Sequence, residues 1–371
     1  MYKPKEYFVH CLLLVLTVLA TTLAGGEWIY GKSILGKDER ALDWEYFIKS
    51  MQFSIPFIGI LFVHEMGHLL TSIRYKVKSS LPYFIPGWLG FLGAPSIGTF
   101  GAIIQMKSFV NSRRKFFDIG VAGPLAGFIV ALAVLWYGFT HLPDADYIYQ
   151  IHPEYLDPDF KGHAEEEGYI NLRLGYNLLF FLMEKGFADP EKMPNMYEVI
   201  HYPFLFAGYL ALFFTALNLL PIGQLDGGHV IFGLFPKHHR LISLIFFSAF
   251  VFYAGLGIIN PYQDISQLLI RMPLYIGFLY ILYRKVSLPN DTKWAIILLM
   301  AATQYGLAFI FPTLEGYSGW LLFAFLLGRV MGIEHPEVSG TREMNQGRKV
   351  IAWLAILIFL LCFTPQPFII E

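Results

Sequence analysis

Charge is scarce in this sequence, and cysteine is scarcer. Asp, Glu, Lys and Arg make up only 15% of the 371 residues while 56% are hydrophobic, whereas a soluble domain carries about 25% charged and 45–50% apolar residues. No polar shell could cover so much apolar surface, which excludes an ordinary soluble domain and indicates a membrane protein. Neither sign of charge is in excess: 27 Lys plus Arg stand against 28 Asp plus Glu, so the basic footprint of a nucleic-acid binder is missing. The two cysteines, Cys11 and Cys362, each lie in an apolar run and supply neither a disulfide framework nor a thiolate metal centre. Any metal must be held by histidine and carboxylate. A clear small-residue cleavage site around Ala24–Gly26 is also lacking, so the first apolar stretch reads as a retained signal anchor. No Arg- and Ser-rich leader precedes it, which leans toward a bacterial plasma membrane.

What the chain does have is long apolar runs. A membrane helix needs about 20 mainly apolar residues, and candidate spans are Phe8–Ala24, Phe53–Ser72, Phe117–Phe139, Phe204–Leu220, Leu241–Ile259, Leu268–Tyr283, Trp294–Phe311, Ser318–Ile333 and Val350–Phe363. The expected fold is an all-α polytopic membrane protein of about eight to nine transmembrane helices. One apolar stretch breaks the pattern. Residues 81–106 carry Pro82, Pro86, Pro95, Gly87, Gly90, Gly93, Gly98 and Gly101, which argues against a continuous helix and for a re-entrant hairpin or loop entering from the inside. Basic residues should collect on the cytoplasmic side. With the N-terminus inside, the inner loops hold Lys3, Lys5, Arg74, Lys76, Lys78, Lys107, Arg113, Arg114, Lys115, Lys237, Arg240, Arg284, Lys285, Lys293, Arg342, Arg348 and Lys349. The outer loops hold fewer: Lys32, Lys37, Arg40, Lys161, Arg173, Lys185 and Lys192. Three divisions follow: an N-terminal span and outside loop (1–51), a membrane core (52–232) that includes an acidic outside loop (141–202), and C-terminal helices (233–371). That loop is too short for most domains that fold alone and is read as solvated chain.

Inside the second run the sequence reads His64-Glu65-Met66-Gly67-His68. Positions four apart share a helix face, so His64 and His68 can meet one zinc ion with Glu65 beside it as proton acceptor. Ionisable groups at membrane depth are costly and are kept mainly where they bind or react. The bland alternative is that these side chains only hydrogen-bond other helices. A catalytic zinc usually takes three protein ligands and keeps one open position. The best third candidate is Asp226, in the segment Asn218 to His229 at the end of the fourth run, where Pro221, Gly223, Gly227 and Gly228 imply broken helix. His229 ranks below it, and Asp226 has the alternative role of capping a helix that starts at Gly227.

With these residues in view, the chain resembles the site-2 proteases, the family of intramembrane zinc metalloproteases. The resemblance rests on the membrane-embedded His64-Glu65-x-x-His68, on Asn218-x-x-Pro221 followed by Asp226-Gly227, and on Gly123-Pro124-Leu125-Ala126-Gly127, in that family's order over residues 52–232. Less specifically, Thr341 to Phe368 resembles the tail of a bacterial and plastid branch. The resemblance implies a single catalytic Zn2+ held by His64, His68 and Asp226, with Glu65 as general base and Asn218 as a substrate or oxyanion contact. It implies a transmembrane protein as substrate, cut within or beside the bilayer, with no nucleic-acid partner; nothing in it fixes an oligomeric state. Some branches carry a PDZ domain between the third and fourth core spans, and residues 141–202 are too short for one. Two readings of other classes remain: a metal or proton transporter using the same four residues, and a non-proteolytic scaffold that binds membrane proteins. His141, His152, His163 and His201 are expected to be ordinary polar residues rather than a second metal site, and His238 and His239 to contact headgroups.

Overall fold

The computed structural model describes residues 4–108, 110–157, 172–335 and 343–370; Lys3, Lys161, His163, Thr341 and Arg342 lie outside them. In chain order the elements are α1 (Pro4–Tyr30), α2 (Trp44–Arg74), β1 (Tyr83–Gly87), β2 (Gly98–Ile103), α3 (Arg113–Thr140), α4 (Tyr147–Ile151), β3 (Leu172–Leu174), α5 (Leu178–Phe187) and α6 (Pro203–Asn218). There follow α7 (Asp226–Leu234), α8 (His239–Ala254), α9 (Ile265–Tyr283), α10 (Asn290–Ile310), α11 (Trp320–Phe325), α12 (Gln346–Cys362) and β4 (Phe368–Ile370). Five of these, α1, α2, α3, α9 and α10, are long and apolar enough to cross a membrane, and α6, α8 and the stretch Trp320–Met331 are shorter apolar helices. The polytopic helical fold expected from the apolar runs is the one observed. Within the eighth run α11 gives way to a π-helix, Leu326–Met331. Its wide turn closes where Gly332 N–H reaches the Leu327 carbonyl at 2.8 Å, and the positive φ of Gly332, 88°, ends it.

The chain divides into two compact units, one of residues 1–111, 118–218 and 353–371, the other of 112–117 and 219–352. In the first unit α2 starts at Asp43, whose carboxylate accepts from Tyr46 N–H at 2.8 Å. It runs beside α1, where the Thr22 and Ser54 hydroxyls meet at 2.7 Å. Phe53 and Phe206, both fully buried, stack with ring centroids 5.1 Å apart and join α2 to α6. Against α3 the approach is closer. A Cβ on Gly67 would come within 2.5 Å of the Ala122 carbonyl, the small-residue contact that lets membrane helices pack backbone to backbone.

The Pro- and Gly-punctuated stretch is a β-hairpin. Strands β1 and β2 pair antiparallel in the register Tyr83↔Ile103 to Gly87↔Gly98, with an irregularity between Phe84 and Pro86. The ladder continues beyond the strands, with Ser80 N–H bonded to the Gln105 carbonyl at 2.8 Å and Lys107 N–H to the Lys78 carbonyl at 2.7 Å. Proline lacks the donor for a helix or central strand, and Gly98, at φ 81°, lies so near α1 that a Cβ would sit 2.3 Å from Thr21 Cα. The hairpin is pinned to α1 by His10 Nδ1–H on the Pro82 carbonyl, 2.8 Å, and Trp28 Nε1–H on the Ser96 carbonyl, 2.7 Å. A second small sheet pairs β3 with β4, Leu172↔Ile370 to Leu174↔Phe368. Tyr209 of α6 donates to the Pro367 carbonyl at 2.8 Å beside it.

In the second unit, polar bonds join otherwise apolar helices. Tyr283 of α9 donates to Ser248 Oγ of α8 at 2.8 Å, and Gln304 of α10 donates to the Phe252 carbonyl at 2.8 Å. The Arg113 guanidinium, at the head of α3, donates to the Gly233 carbonyl at 2.6 and 3.0 Å and so holds the end of α7.

Candidate metal centre

His64, Glu65 and His68 lie within α2, and His64 and Glu65 are buried, at 5% and 8% exposure. One helical turn apart, the two imidazoles present Nε2 atoms 3.1 Å from each other, with ring planes at 70°. The Nδ1 atom of His68 is committed elsewhere. It donates to the Ile119 carbonyl of α3 at 2.7 Å, and since a carbonyl only accepts, the proton sits on Nδ1 and Nε2 carries a lone pair. A backbone carbonyl orienting a ligating histidine in this way is the usual support for a metal-bound imidazole.

Helix α3 makes the room. A Cβ on Gly123 would fall 2.1 Å from His68 Nε2, and one on Gly127 would fall 3.0 Å from His64 Cβ. The two glycines of the Gly123-Pro124-Leu125-Ala126-Gly127 segment thus leave space for the two imidazoles. At the foot of α3 Asp118 accepts from the Tyr75 hydroxyl, which ties the end of α2 to the same helix. Asn218, the last residue of α6, brings its amide Nδ2 to 3.5 Å from His64 Nε2.

Four of the five residues singled out in the sequence therefore gather in the first unit: His64, Glu65, His68 and Asn218. Asp226 belongs to the second unit, at the first position of α7, where Leu225 is the N-cap residue. Asp226 is therefore not the cap that the alternative reading made it. His229 has another role. It is buried in α7, its Nδ1 lies 2.8 Å from His335 Nε2, and its ring packs on Phe116. The Ile119 carbonyl is a site group that no side-chain motif announces. Its only trace in sequence is the glycine spacing of α3, which marks the helix that must come close.

Two imidazole nitrogens facing each other 3.1 Å apart fit zinc: with Zn–N bonds of about 2.0–2.1 Å, tetrahedral ligand atoms are separated by about 3.3 Å.

Comparison with known proteins gives a consistent picture. Residues 52–260 match Peptidase family M50. A protein of Oryza sativa subsp. japonica named "Probable zinc metalloprotease EGY1, chloroplastic" is 33% identical over 198 residues, 50% of this chain and 30% of the relative. The protein of that name in Arabidopsis thaliana is 34% identical over 184 residues, 49% of this chain and 29% of the relative. "Probable zinc metalloprotease EGY2, chloroplastic" of Oryza sativa subsp. indica is 28% identical over 179 residues, 48% of this chain and 28% of the relative. The matched stretches span under a third of these curated relatives. No solved structure matches.

Proposed function

The chain belongs to peptidase family M50, and from that premise we propose that it is a zinc-dependent endopeptidase acting on a peptide bond in or near a transmembrane segment of another membrane protein. The observation that carries this reading is the pair of Nε2 atoms 3.1 Å apart in α2, with a buried glutamate next in sequence and an amide donor 3.5 Å from His64 Nε2.

His64 and His68 are two of the proposed zinc ligands, and Asp226 is the third. Support for Asp226 comes from its own segment. Ile222 N–H bonds to the Leu220 carbonyl at 2.7 Å, Leu225 N–H bonds to the Ile222 carbonyl at 3.2 Å, and Gly227 lies so close to the Leu219 carbonyl that a Cβ would meet it at 2.0 Å. The chain after Asn218 thus folds back at once, and Asp226 is held beside the residue that directly follows Asn218.

Held by His64, His68 and Asp226, zinc would supply Lewis acidity, lowering the pKa of water to about 7 and polarising a carbonyl. Glu65 takes the proton of the attacking water and then delivers it to the departing amine, so that water and one peptide bond become a carboxylate and an amine. The Asn218 amide donates to the oxygen that gains charge as the carbonyl is attacked. Substrate must reach this centre unwound, because helix hydrogen bonds shield its peptide groups. The β1–β2 hairpin supports an approach by strand addition: among the described residues it is a two-stranded sheet with Phe100 and Ile103 exposed, and an outer sheet edge offers unpaired backbone groups to an extended peptide.

We also propose that the N-terminus is cytoplasmic, since Lys and Arg collect in the loops this places inside. A bacterial plasma membrane is the proposed compartment; the relatives above are named as chloroplastic proteins.

The test is zinc per purified full chain for wild type, Glu65→Gln, His68→Ala and Asp226→Ala, alongside cleavage of a reconstituted membrane-protein substrate. The proposal requires Glu65→Gln to keep zinc and bind substrate while cleavage is lost, and the other two variants to lose zinc from this centre. Undiminished cleavage by Glu65→Gln, or zinc indifferent to His68, would overturn it.

A further inference from the structure

A second set of ligating side chains converges away from α2, in the first unit alone. His152 follows α4, Glu198 precedes the 3-10 turn Val199–His201, and His201 closes that turn just before α6. The Nε2 atoms of His152 and His201 are 3.1 Å apart, and Glu198 Oε2 is 3.7 Å from His201 Nε2. All three ligand atoms lie within 4.8 Å of one another. Glu198 and His201 are both buried, at 8% exposure.

The remaining ring nitrogens show which atoms are left to bind. His201 Nδ1–H donates to the Ile29 carbonyl, near the end of α1, at 2.5 Å. His152 Nδ1–H donates to the Glu154 carboxylate at 2.8 Å. Both acceptors take a proton from Nδ1, which leaves the two Nε2 atoms, facing each other, as the ring atoms available to a metal. On the other side, Glu198 Oε1 accepts from the Tyr155 hydroxyl at 2.9 Å, while Oε2 is buried with no hydrogen-bond partner among the described residues. A buried carboxylate oxygen without a hydrogen-bond partner is unfavourable. A cation held by it and the two Nε2 atoms satisfies it.

The spacing narrows the class of cation. Bonds of about 2.0–2.2 Å to nitrogen and oxygen put tetrahedral ligand atoms about 3.3 Å apart, and the observed separations, 3.1 and 3.7 Å, bracket that value. Two imidazoles and one carboxylate suit zinc or a similar divalent transition metal, whereas calcium and magnesium prefer oxygen donors throughout. Glu154 and the Ile29 carbonyl then hold the two imidazoles in place, as outer partners of ligating histidines do.

We propose that His152, Glu198 and His201 form a second divalent-metal site of zinc type, separate from the His64 and His68 centre. Its role is structural: the ion joins the chain after α4 to the turn that begins α6, and through Ile29 to the end of α1. This departs from the expectation from sequence that His152 and His201, 49 positions apart, are ordinary polar residues rather than a second metal site.

The test uses full-length protein in detergent, freed of metal and re-equilibrated with zinc. The chain with His64→Ala and His68→Ala should still hold about one zinc, and adding His152→Asn and Glu198→Gln should remove it. Cobalt in the first variant should give visible ligand-field absorption that is absent from the second. Zinc should also raise the melting temperature of the His64→Ala, His68→Ala chain, and should do so less when His152→Asn alone is added, a change at a half-buried position. A His64→Ala, His68→Ala chain that is folded but holds no zinc, or zinc content indifferent to His152 and Glu198, overturns the site. Because the readout is metal in a chain already lacking the α2 histidines, the result is independent of whether the protease reading holds.

Discussion

Glu65 and Asn218 can be separated from the metal ligands by what their loss should change. Glu65→Gln keeps the size of the side chain and removes its basicity, so cleavage should fall by about 10²–10⁴-fold or more with zinc content unchanged. If Asn218 donates to the developing oxyanion as proposed, Asn218→Ala should lower kcat by about 10²–10³-fold with KM nearly constant; a matched rise in KM would make Asn218 a substrate-binding residue instead. Gly123 gives a further test. A methyl group there would lie 2.1 Å from His68 Nε2, so Gly123→Ala should push the imidazole off its Ile119 acceptor and release zinc from the centre. Metal content in folded protein measures this directly. The motif histidines and Glu65 could be singled out from residue type and spacing, whereas Asn218 came only with the family resemblance. The Ile119 carbonyl could not, since every residue has one and only the packing of α3 on α2 selects it.

Among the elements, helices were the most legible. Every apolar run predicted to span contains a helix in the described residues, because in lipid a chain must satisfy its own backbone hydrogen bonds. The hairpin was legible as a break and less so as a sheet. Proline and glycine in 81–106 exclude helix without specifying the pairing, which depends on contacts with α1 far away in sequence. Gly98 is the position to test. Its φ of 81° and the 2.3 Å approach to Thr21 Cα leave no place for a side chain, so Gly98→Val should lift the hairpin from α1. Thermal unfolding in detergent should show a loss on the order of 1–3 kcal/mol, the usual cost of overpacking or backbone strain. If the hairpin guides substrate, cleavage should fall while zinc stays bound. An unchanged melting temperature would show that the contact with α1 contributes little.

For the molecule as a whole, the division into two units was not read from the sequence. Contiguous stretches of apolar chain carry no sign that residues 112–117 group with 219–352, or that 353–371 return to the unit of the N-terminus. The returning piece can be probed. Deleting residues 366–371 removes β4 and takes from Tyr209 its buried acceptor, the Pro367 carbonyl 2.8 Å away. The truncated chain should melt at a lower temperature, because it loses both the β3–β4 pairing and this buried hydrogen bond. The pairing of β3 with β4 also bears on synthesis. Residues 368–370 leave the ribosome after all of 219–352, so the sheet they complete, in the unit that carries His64 and His68, cannot close until 219–352 have been made. Domains made from contiguous sequence can fold as they emerge; here the last strand is a late step, and a polypeptide stalled within the second unit would be left with β3 unpaired, open to quality-control proteases.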